Sequence, residues 1–358
     1  MIVIKVLLII IAVLLFGLMI FIHEFGHFFT AKLCGIRVNE FSIGMGPTLF
    51  HFQRGETKYA LRLLPIGGFC AMEGENGDSD DERSFYKKSV WKRMLVVVMG
   101  AVMNIVLGLV LMMILLSQES AFNSTTVAAF AKNSAFQAAG LKEGDTFVSV
   151  DHYRIYGDRD LSFALATANP SSVDIVVRRD GKEVAFNDVK LNNQTIDGKT
   201  IVSLDFYVEP IEKNFGTLLT KTFQDTVSVV RLVWYSLISL ITGKFGFNDM
   251  AGPVGAADAV GQVITSGLKE SFLAGLNNVI YVMMLFTINL GIFNLIPFPA
   301  LDGGKLFLFI VEAIRRKPIQ EKYVAVVETV GFALLMCLML IVTYSDILRL
   351  VTGKGLGG

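Results

Sequence analysis

Cysteine is scarce in this chain of 358 residues. Cys34, Cys70 and Cys337 have no C-x-x-C spacing, which excludes a disulfide framework, and Cys34 reads as a buried structural thiol. Surplus charge is missing as well: 32 Lys and Arg balance 32 Asp and Glu, so no basic field argues for a nucleic-acid partner. Some stretches lack charge almost entirely, and residues 4–22 carry Lys5 alone. No small-x-small cleavage signal ends that run, so it reads as a retained transmembrane helix and not as a removable signal peptide. What the chain has in quantity is apolar surface, with 53% hydrophobic residues and 28 Phe. That composition excludes a large soluble enzyme and predicts a membrane protein with some soluble content.

Four transmembrane spans are expected, over residues 4–31, 94–116, 272–296 and 323–343. The loop over 32–93 holds ten Lys or Arg, which places it on the cytoplasmic side and the N-terminus outside. Residues 215–242 are also apolar, but a crossing there would put Arg315, Arg316 and Lys317 outside. They are expected to form a helix at the outer membrane surface or against the other spans. The cytoplasmic loop reads as short strands at 41–47, 48–52 and 57–64, with a turn at Arg54–Gly55. Pro65-Ile66-Gly67-Gly68-Phe69 follows and is too apolar for a solvated loop. A hairpin dipping into the membrane is expected, with an uncharged edge that can pair with an extended peptide. Asp78 to Glu82 reads as a solvated mobile turn, and Asn248 to Gly255 as part of a connector. Between 121 and 210 charge rises and strands are expected at 147–150, 173–178 and 183–186, with a hairpin turn over Arg179-Asp180-Gly181-Lys182.

The chemistry gathers at His23-Glu24-Phe25-Gly26-His27. On a helix the two histidines share one face, so both imidazoles can reach one metal ion, and Glu24 beside them can take a proton from water. Ionisable groups at this depth are costly, which favours a functional reading over a chance match. Lys32 lies nine residues beyond His23, about 13 Å of helix, so the site is expected in the membrane towards the cytoplasmic face. A third ligand is needed. The run Asn294-Leu295-Ile296-Pro297-Phe298-Pro299-Ala300-Leu301-Asp302-Gly303-Gly304 breaks the third span at the same face, and presents Asp302 from irregular backbone.

Ala138-Ala139-Gly140-Leu141-Lys142-Glu143-Gly144-Asp145, with the strand and hairpin that follow, resembles a PDZ domain. The whole chain is similar to the bacterial site-2 proteases, which are intramembrane zinc metalloproteases. The likeness rests on H-E-F-G-H, on Phe41-Ser42-Ile43-Gly44-Met45-Gly46-Pro47 and on Pro65 to Phe69. It continues through Trp91-Lys92-Arg93 and Gly252-Pro253-Val254-Gly255 to N-x-x-P-x-P-x-L-D-G. One departure is Gly100-Ala101-Val102-Met103 before Asn104, where the family often has Ala-Gly-Pro. The resemblance implies a polytopic α-helical membrane protein of four spans with a membrane-associated β-hairpin loop and an inserted extracytoplasmic PDZ α+β domain. Its parts would be a membrane half over 1–120, the PDZ domain over 121–210, and a surface helix with the last two spans over 211–358. It implies Zn2+ held by His23, His27 and Asp302, with Glu24 as general base and Asn294, Gly67, Gly68 and Phe69 facing the substrate. It further implies a multi-pass protein of the bacterial inner membrane, in contact with lipid, cutting single-span proteins such as anti-sigma factors or signal-peptide remnants. The PDZ groove would contact peptide or exclude bulk. The alternative is a non-catalytic membrane adaptor built around the PDZ domain.

Overall fold

The computed structural model describes residues 2–75, 79–196, 199–243, 252–317, 319 and 321–352. In chain order the elements are α1 (Ile2–Leu33), β1 (Val38–Arg54), β2 (Thr57–Met72), α2 (Val90–Leu116), β3 (Ala121–Phe130) and the one-turn α3 (Ala135–Ala138). There follow β4 (Thr146–Val150), β5 (Tyr153–Arg154), α4 (Asp158–Thr167), β6 (Val173–Arg179), β7 (Lys182–Val189), β8 (Asn193–Ile196) and β9 (Lys199–Val202). The chain ends with β10 (Phe206–Glu212), α5 (Phe215–Ile241), α6 (Pro253–Glu270), α7 (Phe272–Leu295), α8 (Asp302–Arg315) and α9 (Glu321–Thr352). It divides into two compact units, one of Met1–Leu111 with Ser236–Gly358 and one of Met112–Tyr235.

Four helical stretches among the described residues are long and apolar enough to cross a membrane: Val6–Leu33, Val90–Leu116, Phe272–Leu295 and Val324–Leu348. They match the four expected spans within a few residues at each end. In the first unit α1 packs on α7, α6 on α7 and on α9, and both β1 and β2 on α1. The connector expected over 248–255 lies outside the described residues up to position 251, and beyond it turns directly into α6, a helix the apolar pattern alone did not mark. Asp346 of α9 is buried and accepts hydrogen bonds from the Gly252 (3.2 Å) and Gly255 (2.7 Å) amides. It thereby neutralises the exposed N–H groups at the start of α6.

The sheet of β1 and β2 differs from the expected three short strands. Residues 41–47 and 48–52 belong to one long bent strand, and the segment Pro65 to Phe69 is itself strand. Ser42 pairs with Phe69 on one side and with Ala60 on the other, while Phe52 pairs with Tyr59 around the turn at Gly55. The first part of β1 is therefore interior, and residues 68–72 form an outer edge. One face meets α1 through an aromatic cluster in which Phe28 and Phe41 lie 4.9 Å apart and Phe52 stacks on Tyr59 at 5.1 Å. Leu49, Phe50, Leu61, Leu63 and Leu64 stay exposed, an apolar surface that water would not favour. The acidic stretch read as a mobile turn is tied down where it is described: Asp81 accepts from Arg37, and Ser79 donates to Glu73. Asp78 lies outside the described residues.

In the second unit five strands run in the order β10-β3-β4-β6-β7, with β5 paired to β4. Val127, Phe136, Phe147, Leu165, Ile175 and Val177 fill the core beneath them. The Asp180–Gly181 turn between β6 and β7 has both residues at positive φ, +49° and +78°, the two-residue hairpin geometry that suits strand twist. α5 is not among the four candidate spans, and its charges explain why. Lys221 pairs with Asp158, Arg159 donates to Asp225 (2.8 Å), and Arg231 donates to Asp160 (2.9 Å). These pairs hold α4 against the first part of α5 and would be costly to strand in lipid.

Asp145, fully buried, accepts two hydrogen bonds from Arg179 (2.7 and 2.6 Å) and one from the Lys142 amide (2.8 Å). Burial works to raise its carboxyl, but the Arg179 guanidinium and the Lys142 amide outweigh it and hold the group below the usual carboxylate range. The folded pKa is thus depressed, so this contribution is complete above about pH 4 and is lost as pH falls through the folded value. Arg179→Leu should destabilise the β-rich unit by about 2 kcal/mol. Hydrogen exchange of β4 and β6 amides in the whole protein should report that loss at pH 7, and show it shrinking below pH 4.

Candidate metal centre

His23 and His27 lie one turn apart in the C-terminal third of α1, and both are buried. Their Nε2 atoms are 3.2 Å apart. α7 ends at Leu295, where Pro297 and Pro299 prevent it from continuing. Ala300 takes a left-handed φ of +78°, a cost of roughly 1 kcal/mol for a residue with a Cβ. The turn closes through the Leu301 amide donating to the Phe298 carbonyl (3.1 Å), and Asp302 then opens α8. Its Oδ2 reaches to 3.1 Å from His23 Nε2 and 3.3 Å from His27 Nε2.

This triangle has the dimensions of a zinc site. A tetrahedral ion with bonds of 2.0–2.1 Å has ligand edges of about 3.3 Å. The hydrogen bonding agrees. His27 Nδ1 donates to the Val96 carbonyl (2.9 Å), so in the neutral ring Nε2 is the atom left to bind a cation beside Asp302. Asp302 Oδ2 is itself buried without a hydrogen-bond partner. Two such atoms this close repel unless a proton or a metal cation lies between them. Asn104 of α2 stands 3.1 Å from His23 Nδ1, and its Oδ1 is buried and unpaired. Rotating that amide presents Oδ1 to an Nδ1–H, which frees His23 Nε2 as well. Thr287 of α7 donates to the Asn104 backbone carbonyl (3.1 Å) and fixes the segment.

The three side chains, together with Glu24, line a cavity of about 460 Å3. Residues 69–72 of β2 form one wall, and Glu75 and Lys305 another part of it. Two glycines make the close approach feasible. At Gly100 of α2 a Cβ would run into both imidazole rings. At Gly68 it would meet the Ser42 carbonyl at 2.9 Å and Glu24 Cγ at 3.2 Å. Gly67 turns the strand at φ +81° beside Met45, and Phe69 lines the cavity under the Arg62 guanidinium, 5.0 Å from the ring. Asn294 closes the group, its amide nitrogen 3.4 Å from His23 Nε2.

Of the eight residues singled out from the sequence, His23, Glu24, His27, Asp302 and Phe69 line one cavity, Asn294 and Gly68 touch members of that group, and Gly67 packs on Met45. Sequence reasoning passed over Lys305 and Glu75. Lys305 follows Asp302 by three positions, a same-face spacing once α8 is known to begin there, whereas Glu75 precedes the acidic turn of Asp78 to Glu82 and no local pattern marks it. α8 is held in place by Arg93 of α2, which is buried, donates twice to Glu312 and stacks over Phe309 at 4.7 Å.

The sequence pattern of Peptidase family M50 matches residues 11–338. A putative zinc metalloprotease of Clostridium perfringens is 40% identical over 345 residues, which cover 95% of this chain and 98% of that protein. The regulator of sigma-W protease RasP of Bacillus subtilis is 30% identical over 94% of this chain and 97% of its own length. The probable protease eep of Enterococcus faecalis is 28% identical over 94% of this chain and 98% of its own. These likenesses run nearly end to end and put the enzymatic reading ahead of the adaptor. The chain belongs to peptidase family M50, the site-2 proteases, and is a zinc metalloprotease.

Proposed function

We propose that His23, His27 and Asp302 hold the zinc ion, and that Glu24 is the general base of an intramembrane peptidase acting on single-span membrane proteins. The observation that carries this reading is the triangle of ligand atoms, all within 3.3 Å, beside a carboxylate and an open strand edge in one cavity. Bound zinc would supply a Lewis acid that polarises the scissile carbonyl and acidifies water. Glu24 would take the water's proton and later pass it to the leaving nitrogen. His27 keeps its lone pair directed inward through its bond to Val96, and Asn104 would do the same for His23. Residues 68–72 would pair with the substrate as an added strand, with Gly68 allowing that strand to pass over Glu24. Such pairing offsets the cost of unwinding a substrate helix in lipid. Asn294 would donate to a carbonyl of the bound segment.

The lysine- and arginine-rich loop supports a cytoplasmic active site in a bacterial inner membrane, with residues 121–210 outside as a PDZ domain between membrane parts over 1–120 and 211–358. A cavity of about 310 Å3 between α4 and β10, lined by Leu161, Ser162, Phe206 and Tyr207, supports peptide contact there. The sigma-W regulator among the relatives supports anti-sigma factors as substrates.

Glu24→Gln should retain zinc and lose about 10²–10⁴-fold in cleavage of a reconstituted single-span substrate. Cleavage at the wild-type rate would remove Glu24 from the chemistry. Asp302→Ala should lose both zinc and activity. Asn104→Ala should weaken zinc binding about 10–100-fold in a chelator competition, with Asn104→Asp losing less.

A further inference from the structure

Lys305 is out of place by ordinary rules. It sits in the first turn of α8, where the helix dipole disfavours a cation, and its ammonium is largely buried beside the metal ligands. Its partner is Glu75, to which it donates at 2.8 Å, with the two side chains only 30% and 16% exposed. Both line the cavity that His23, Glu24, His27 and Asp302 line.

The two residues also stand at the ends of two critical elements. Lys305 lies one turn beyond Asp302 on the same helix face. Glu75 follows the edge strand by three residues, and its amide donates to the Met72 carbonyl (3.3 Å). The turn between them is anchored: Glu73 donates to the Arg37 carbonyl (2.9 Å), and Phe85 donates to that of Glu73 (2.7 Å). The ion pair is thus a direct tie between the helix that presents Asp302 and the strand edge at residues 68–72.

We propose that Lys305 and Glu75 are positioning residues that fix the strand edge relative to the metal ligands, and thereby select which bond of an extended peptide is cut. The proposal rests on the strand-pairing reading given above. An extended chain advances about 3.3 Å per residue, so a slip of that size brings a neighbouring bond to the centre. A hydrogen-bonded ion pair tolerates far less than that before it breaks. Without it the edge would still be present, but its distance from Asp302 would no longer be set.

The test uses the full-length protein in detergent with a single-span substrate, comparing wild type, Lys305→Ala, Glu75→Ala, the double variant and Lys305→Arg. Zinc content, kcat, KM and product masses are read for each. The expected result is unchanged zinc, a fall in kcat of about tenfold in each alanine variant with a smaller change in KM, and products from neighbouring bonds. The double variant should be no worse than either single one, and Lys305→Arg should restore a single product. Alanine variants that cut the same single bond at the wild-type rate overturn the proposal. So do single effects that multiply in the double variant, since the two residues would then act separately. A zinc-loaded wild type that cuts no single-span peptide overturns the strand-pairing protease reading itself, and the latch with it.

Discussion

An imidazole nitrogen and a buried carboxylate oxygen face each other at 3.3 Å in this protein, with a second imidazole closing the triangle. In a low-dielectric setting that arrangement needs a proton or a metal cation at its centre, and the surrounding elements serve to impose it. α2 contributes the Val96 carbonyl, the Asn104 amide and a glycine under the rings. α7 contributes Thr287 and then stops at two prolines, so that Asp302 can start a new helix. The Arg93–Glu312 pair then fixes α8 to α2. Such a buried pair adds little net stability, because desolvation offsets attraction, but breaking it is costly. Its effect here is to keep Asp302 in place beside the two histidines.

The second constraint is the closeness of the strand edge to Glu24. Most proteins protect an exposed edge with charge or cover it. Here residues 68–72 instead turn towards a cavity, with the glycine at 68 bringing backbone against the Glu24 side chain. The same sheet leaves Leu49, Phe50, Leu61, Leu63 and Leu64 exposed, an apolar surface of the kind that a membrane or a binding partner covers.

Much of this was legible in the sequence because membrane cost makes polar residues informative. His23, Glu24, His27 and Asp302 stood out against apolar runs, and the four spans were bounded by length alone. What was not legible depended on pairing across the chain. α6 has a mixed composition and is capped by Asp346, some ninety residues downstream, so no local signal marks its start. The strand character of Gly68 and Phe69 comes from their partners, Ile43 and Ser42, and not from a local β pattern. Lys305 carries no signal of its own in the sequence; α8 gives it a face and Glu75 gives it a counterion.

The ligand set also has a mechanical aspect. All three cysteines are free, so no covalent bridge joins distant parts of this chain. His23 and His27 come from its first helix, while Asp302 comes from its last sixty residues. Whatever ion they share ties together segments separated by most of the sequence, and loops that long gain the most from closure. The candidate metal centre is thus also the one candidate cross-link among the described residues, and an ion bound there would staple the ends of the membrane-helix unit together.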